Sequence, residues 1–125
     1  MADKRRTYRL AMQLPATFYT PGLEEEVCFA TTVDLSATGI SFTTKEPVIK
    51  GQRIKFRVQL PNDKRVTLNG EIIRVVEKKE WAFLGGLSEY EVGMKILEPI
   101  AGDEVEYVRF LAAKMKGAFG KEAGG

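Results

Sequence analysis

Apolar and polar side chains alternate with a period of two over much of this chain. In residues 53–60 (Arg-Ile-Lys-Phe-Arg-Val-Gln-Leu) the alternation has no break, which is typical of a half-buried antiparallel strand. The same pattern recurs over residues 90–96 and over residues 10–18, where Pro15 interrupts it. The dominant period therefore predicts a β protein.

Three further segments complete the predicted strands. Residues 27–33 and 40–44 are rich in β-branched and aromatic side chains. Residues 61–64 (Pro-Asn-Asp-Lys) are typical of a hairpin turn and predict that the strand at 53–60 is followed by another over roughly 65–77. Six short strands separated by turns favour a closed barrel or a sandwich over an α/β fold.

One helix is predicted near the end of the sequence. Asp103 can cap it, Glu106 completes a capping box, and Gly117 can end it. We expect the face with helical spacing to lie on the barrel; that face consists of Val105, Val108, Leu111, Ala112 and Met115. The predicted organisation is a flexible basic arm at residues 1–9, a barrel with its helix at 10–117 and a flexible tail at 118–125.

Composition excludes several classes of function. The 125 residues include no histidine and a single cysteine, Cys28, so the common imidazole-based active sites and thiolate metal sites are not available. The net charge of +2 argues against binding to a nucleic acid polymer by bulk electrostatics. No stretch is apolar enough to insert into a membrane. We expect a cytoplasmic protein that is not an enzyme and needs neither metal nor cofactor.

The basic residues concentrate in the arm. The arm contains one acidic residue, Asp3, and four basic residues, Lys4, Arg5, Arg6 and Arg9. Arg5 and Arg9 have the spacing R-x-x-x-R. Guanidinium groups bind phosphate in a bidentate manner, pair with the O6/N7 edge of guanine and stack on aromatic rings. The alternative is a solvated basic end without a specific partner.

A second motif, Asp34-x-Ser36-x-x-Gly39, lies between two predicted strands. The Asp34 carboxylate can accept hydrogen bonds from the N1–H and N2 amino groups of guanine, and the Ser36 hydroxyl can donate or accept beside it. Gly39 allows a positive φ or the close approach of a ligand. The alternative is a simple turn, which uses the same residue types.

The two motifs together resemble the PilZ domain family, whose defining motifs are an N-terminal R-x-x-x-R and a downstream D/N-x-S-x-x-G. Both are complete here and occur in the family's order. Residues 70–74 (Gly-Glu-Ile-Ile-Arg) and 92–96 (Val-Gly-Met-Lys-Ile) are similar to two further strand patterns of the family. The resemblance covers roughly residues 4–116.

The resemblance implies a six-stranded antiparallel β-barrel of PilZ type, with a C-terminal α-helix packed on it, that binds the bacterial second messenger cyclic di-GMP. The implied ligand contacts are Arg5, Arg6, Arg9, Asp34, Ser36, Gly39 and Arg74. In this interpretation the arm arginines contact phosphates and guanines, and Asp34 and Ser36 bind a guanine edge. For Arg74 an ordinary exposed strand arginine is the alternative.

The resemblance also implies a signalling adaptor that acts on an unidentified effector protein and controls motility, exopolysaccharide or biofilm output. We expect a monomer or a dimer modulated by ligand. The alternative is a protein–protein interaction module of the same fold that does not bind the nucleotide. A barrel that binds single-stranded nucleic acid is a third hypothesis, and only Lys55-Phe56-Arg57 suggests it.

Overall fold

The fold consists of seven strands and one helix in the residues that a computed structural model describes, namely 9–78, 88–97 and 103–124. The elements are β1 (Leu10–Ala11), β2 (Pro15–Tyr19), β3 (Cys28–Leu35), β4 (Gly39–Thr44), β5 (Arg53–Gln59), β6 (Arg65–Lys78), β7 (Glu89–Ile96) and α1 (Asp103–Gly124). All strand pairs are antiparallel.

Six of these strands close into a barrel. Their order is β3-β2-β5-β6-β7-β4, and β4 pairs back onto β3. Strand β1 lies outside the barrel and pairs with β3 alone, while α1 packs against β6. The predicted six-stranded antiparallel barrel with a C-terminal helix is therefore confirmed. Closure gives each of the six strands a partner on both sides, so little strand edge is left unpaired.

Because apolar and polar residues alternate along the strands, every second side chain points into the barrel. Phe18, Phe42 and Phe56 come from three different strands and are at most 2% exposed. The ring centroids of Phe42 and Phe56 are 4.8 Å apart, and those of Phe18 and Phe42 are 5.5 Å apart. These tilted aromatic contacts fill the interior, so the barrel has a packed core instead of a pore.

The predicted hairpin at residues 61–64 is confirmed. Strands β5 and β6 pair as far as Gln59 and Arg65, and the Leu60 N–H donates to the Lys64 carbonyl at 2.7 Å. Asp63 has a φ of 70°, in the left-handed region that aspartate and asparagine tolerate better than most residues.

The N-terminal run is divided into two strands, and the break falls at residues 12–14, before Pro15. Pro15 is the first residue of β2, a position that does not require a backbone N–H for pairing. The buried Thr32 hydroxyl joins the two sides of the break. It accepts from the Leu14 N–H at 2.8 Å and donates to the Met12 carbonyl at 2.7 Å.

A one-residue bulge lies opposite this break. The register between β3 and β4 shifts between Thr32 and Asp34, which leaves Val33 as the extra residue. A bulge shifts the alternation by one position. Leu35 therefore enters the core with no exposed surface, and Asp34 lies on the outer face of the barrel.

The helix presents a different face to the barrel from the predicted one. Tyr107, Phe110 and Leu111 are buried, whereas Val105 and Val108 are 51% and 41% exposed. Leu111 is buried as predicted, but the prediction was wrong for Val105 and Val108 and did not include Tyr107 and Phe110. The larger rings of Tyr107 and Phe110 remove more apolar surface from water, so they take the buried face.

The helix begins at Asp103 as predicted, but the predicted capping box and the predicted end differ from the structure. The Asp103 carboxylate accepts the Thr67 N–H at 2.9 Å, and Glu106 pairs with Lys64 at 3.1 Å, so these acids hold the helix to the barrel in place of the predicted capping box. The helix continues through Gly117 to Gly124, so the predicted stop at Gly117 is wrong. Glycine inside a helix costs only about 1 kcal/mol relative to alanine, which does not by itself end it.

We expect Thr32→Val to lower the free energy of unfolding by about 1–3 kcal/mol, because it leaves the Leu14 N–H and the Met12 carbonyl without their partner. Thr31→Val is the matched control, since Thr31 is the exposed neighbour on the same strand, and it should change stability by less than about 0.5 kcal/mol. Urea unfolding of both variants measures the difference. Equal stabilities would refute this function of the Thr32 hydroxyl.

Candidate ligand-binding site

Strands β3 and β4 are joined by a tight turn, residues 36–39, that Ser36 holds together. The Ser36 N–H donates to the Gly39 carbonyl at 2.9 Å, and the Ser36 hydroxyl accepts from the Gly39 N–H at 3.1 Å. The hydroxyl also accepts from the Thr38 N–H at 3.3 Å and lies 3.1 Å from the Gly39 carbonyl oxygen. Ser36 has no exposed surface, so in this structure its side chain builds the turn.

Gly39 permits a close approach between two strands. It has no positive φ, and a Cβ built on it would lie only 2.7 Å from the Met94 carbonyl oxygen in β7. The predicted positive φ does not occur, and the group that approaches Gly39 in the structure is the backbone of the neighbouring strand, so the approach of a ligand stays a prediction.

Arg9 and Asp34 form an ion pair at the surface. The Arg9 Nη1 donates to Asp34 Oδ1, and the two side chains are 51% and 26% exposed. The structure thus brings together one arginine of the first motif and the aspartate of the second. Exposed pairs of this kind contribute about 0–1 kcal/mol, so a ligand with stronger charged groups can replace the contact. Arg5 and Arg6 lie outside the described residues.

A second bulge places Arg74 on the outer face as well. The register between β6 and β7 shifts between Ile72 and Arg74, so Val75 continues the inward series and Arg74 turns outward opposite Gly93. A Cβ built on Gly93 would lie 3.2 Å from the Arg74 Nε. The Arg74 side chain therefore lies along the backbone of Gly93.

One row of outward-facing positions connects these residues. Asp34 is opposite Ser41, Ser41 is opposite Gly93, and Gly93 is opposite Arg74. Three strand spacings separate Asp34 from Arg74, about 14 Å along the curved wall of the barrel. Ser41 is 6% exposed and Gly93 is buried, so the positions between the two charged residues expose little surface.

Tyr107 is a residue of this region that the sequence analysis missed. It projects from α1, is fully buried, and donates its hydroxyl to the Ser36 carbonyl at 2.6 Å. Burial raises the pKa of the phenol well above its usual range, so the hydroxyl remains a donor at neutral pH. The apolar spacing of Tyr107, Phe110 and Leu111 was the signal that could have identified it.

The groups gathered here are suited to binding. A permanent positive charge beside a carboxylate on the outer wall can bind an anionic ligand that also has hydrogen-bonding edges. In the part of the chain that the structure describes, no group of three or more potential metal ligands occurs. No helix in those same ranges is long and apolar enough to cross a membrane.

The class of protein is thus a small closed β-barrel domain that has charged side chains on its outer wall and a helix hydrogen-bonded to the turn beside them. The comparisons identify which one. The chain belongs to the PilZ family, because the model of the PilZ domain matches residues 3–113.

Solved structures of other PilZ proteins have the same fold. The PilZ domain of YcgR from Escherichia coli, solved with c-di-GMP, is 15% identical with a TM-score of 0.68, over 96% of this chain and 98% of that one. The MrkH–c-di-GMP complex of K. pneumonia is 17% identical with a TM-score of 0.70, over 94% of this chain and 55% of that one.

The Bacillus subtilis inhibitor of motility, MotI/DgrA, is 14% identical with a TM-score of 0.68, over 90% of this chain. The chain spans about half the length of MotI/DgrA, of which 51% is covered. No curated protein matches the sequence.

We expect Gly39→Ala to lower the free energy of unfolding by about 1–3 kcal/mol, because the new methyl group would overlap a backbone carbonyl that cannot rotate away. Gly93→Ala is the matched control: its methyl group meets only the flexible side chain of Arg74, so stability should change by less than about 1 kcal/mol. Thermal unfolding compares the two. A greater loss for Gly93→Ala would contradict the packing described here.

Proposed function

We propose that this protein is a cyclic di-GMP receptor that acts as a signalling adaptor without catalysing a reaction. The observation that carries the proposal is the Arg9–Asp34 ion pair, which joins the arginine motif to the turn motif on the outer wall of the barrel. Membership of the PilZ family supports this assignment, as do the solved structures of YcgR and MrkH with c-di-GMP.

The chemistry of the ligand matches these side chains. Cyclic di-GMP offers two anionic phosphates and two guanines. Arg9 would bind a phosphate or the O6/N7 edge of guanine, and Asp34 would accept from the N1–H and N2 amino groups of guanine. Arg5 and Arg6 remain predicted contacts of the same kind.

Ser36 and Gly39 contribute through the turn. The Ser36 hydroxyl is buried and engaged within the turn, so we now expect it to hold Asp34 in place and not to reach the guanine edge itself. Gly39 would act in the same way, by keeping β4 against β7. Both assignments concern the shape of the site, not direct contact.

The signal would arise because the ligand replaces the ion pair between Arg9 and Asp34 with its own contacts to both side chains. In the structure Arg9 and Asp34 neutralise each other; a ligand that binds both would separate them and hold the arm, residues 1–9, against the turn. A ligand shifts such an equilibrium only as far as it binds one state better than the other. The new charged surface would then be recognised by an effector protein that controls motility, exopolysaccharide or biofilm output, in the cytoplasm.

Arg74 belongs to the same proposal as a second cationic contact. Its place in the same outer row as Asp34 supports a ligand that contacts both side chains. The solvated strand arginine considered above remains the alternative.

The competing functions have less support. Phe56 is fully buried, so the aromatic ring that a single-stranded nucleic acid would stack on does not face outward between Lys55 and Arg57. A PilZ interaction module without ligand would not require both complete motifs.

Calorimetric titration with cyclic di-GMP tests the proposal. We expect micromolar or tighter binding by the native chain, and a loss of about tenfold or more in Arg9→Ala and in Asp34→Ala, because each removes charged hydrogen bonds worth about 1.5–3 kcal/mol. Arg53→Ala is the charge-matched control: this exposed arginine lies on β5, away from the Arg9–Asp34 pair, and its loss should leave the affinity unchanged.

The proposal fails if the native chain gives no heat of binding up to roughly 100 μM ligand. It also fails if Arg9→Ala and Asp34→Ala bind as tightly as Arg53→Ala does.

Arg74 is tested by two variants that act on the same side chain. Arg74→Ala removes the guanidinium, and Gly93→Ala displaces it by placing a methyl group where the Arg74 Nε would be 3.2 Å away. We expect both to weaken cyclic di-GMP binding, by about tenfold for Arg74→Ala and less for Gly93→Ala. Unchanged affinity in both would assign Arg74 to the solvated surface.

A further inference from the structure

We propose that Tyr107 is a positioning residue for the cyclic di-GMP site and that its hydrogen bond makes α1 the element that responds to the ligand. This inference rests on the proposed function and goes beyond it, because it identifies a residue outside both sequence motifs and a direction in which the signal travels.

The contact joins two buried groups. The Tyr107 hydroxyl donates to the Ser36 carbonyl at 2.6 Å, and neither residue has exposed surface. The Ser36 N–H and hydroxyl are already engaged with Gly39 and Thr38 inside the turn. Among the described residues, the other hydrogen bonds of this turn are made within it and to β7, so the Tyr107 hydroxyl is what joins the turn to the helix.

The ligand-binding charges act on the same hydroxyl. Burial is the largest cause of the raised pKa of Tyr107; beside it the charge of Arg9 lowers this pKa and the charge of Asp34 raises it. The phenol is thus within electrostatic reach of both members of the ion pair. A ligand that separates Arg9 from Asp34 changes the surroundings of the hydrogen bond that holds α1 to the turn.

The other polar contacts between α1 and the barrel lie away from the turn that Tyr107 contacts. Asp103 binds the Thr67 N–H at 2.9 Å and Glu106 pairs with Lys64 at 3.1 Å, both at the β5–β6 end of the barrel. Within the described residues, Tyr107 supplies the polar contact between the helix and the turn. The helix is thus anchored at one place and linked to the candidate site at another.

Linkage makes this coupling reciprocal. If docking of α1 through Tyr107 favours the turn geometry that binds cyclic di-GMP, the ligand must favour docking of α1 by the same factor. Loss of the hydroxyl should therefore lower ligand affinity and, at the same time, remove the effect of the ligand on the helix.

Two measurements on Tyr107→Phe test this inference: calorimetric affinity for cyclic di-GMP, and amide hydrogen exchange over residues 105–112 with and without the ligand. In the native chain we expect the ligand to slow exchange in α1 by about fivefold or more. In Tyr107→Phe we expect affinity to fall by about fivefold or more and the ligand to leave helix exchange unchanged.

Thr44→Val is the matched control for lost stability. Thr44 is buried and donates its hydroxyl to the Phe29 carbonyl at 2.8 Å, at the other end of β4 from the turn. This variant loses that bond and the one that the hydroxyl accepts from the Glu46 N–H at 3.2 Å, yet it should keep the native affinity and the native response of the helix because both bonds are remote from the turn.

The outcomes separate this inference from the proposed function. No binding by the native chain overturns the proposed function. Binding by the native chain together with native affinity and native helix protection in Tyr107→Phe overturns the inference alone. If Tyr107→Phe does not fold, the native chain still decides, because ligand binding without added protection of α1 contradicts the coupling.

Discussion

Two one-residue bulges determine which side chains the barrel displays. Without the bulge at Val33, the alternation through Ala30 and Thr32 would carry Asp34 into the core. Without the bulge at Ile73, the series ending at Ile72 would do the same to Arg74. Burial of an unpaired charge is strongly unfavourable, so each bulge both preserves the core and places a charged group outside. The candidate site depends on these two one-residue shifts in the inward–outward alternation of side chains.

The turn at residues 36–39 connects the segment that carries Asp34 to other parts of the molecule. The Ser36 N–H and hydroxyl are hydrogen-bonded within the turn, and Gly39 lets β4 approach β7, so Asp34 lies at the end of a well-bonded segment. Arg9 contacts Asp34 from the N-terminal side, and Tyr107 contacts the turn from α1. Arg9 and the helix, far apart in sequence, therefore meet at one short motif.

Much of the fold could be predicted from the sequence, because period-two alternation and turn residues are local signals. The details that were missed depend on tertiary contacts. Alternation alone does not locate a bulge, although the charge of Asp34 at an inward phase, followed at once by Leu35, is a sign of one. The buried face of α1 was misassigned because two sets of apolar residues have helical spacing, and only the packing against the barrel shows that Tyr107 and Phe110 are the buried ones.

The candidate site could be predicted only as a set of residues. The motifs indicated Arg9 and Asp34 without showing that the two side chains form an ion pair. They also indicated Ser36 and Gly39 as direct ligand contacts, although the Ser36 hydroxyl is hydrogen-bonded inside the turn. Burial and hydrogen bonding separate these two groups of residues, and neither can be read from spacing alone.

The most direct test of the site's location is an NMR titration with cyclic di-GMP that follows the Nε–Hε resonances of the arginines and the backbone amides. The account predicts saturable shifts at Arg9 and over residues 34–39, with Arg53 and Arg57 unaffected. Shifts confined to Arg53 and Arg57 on β5, with residues 34–39 unchanged, would contradict it.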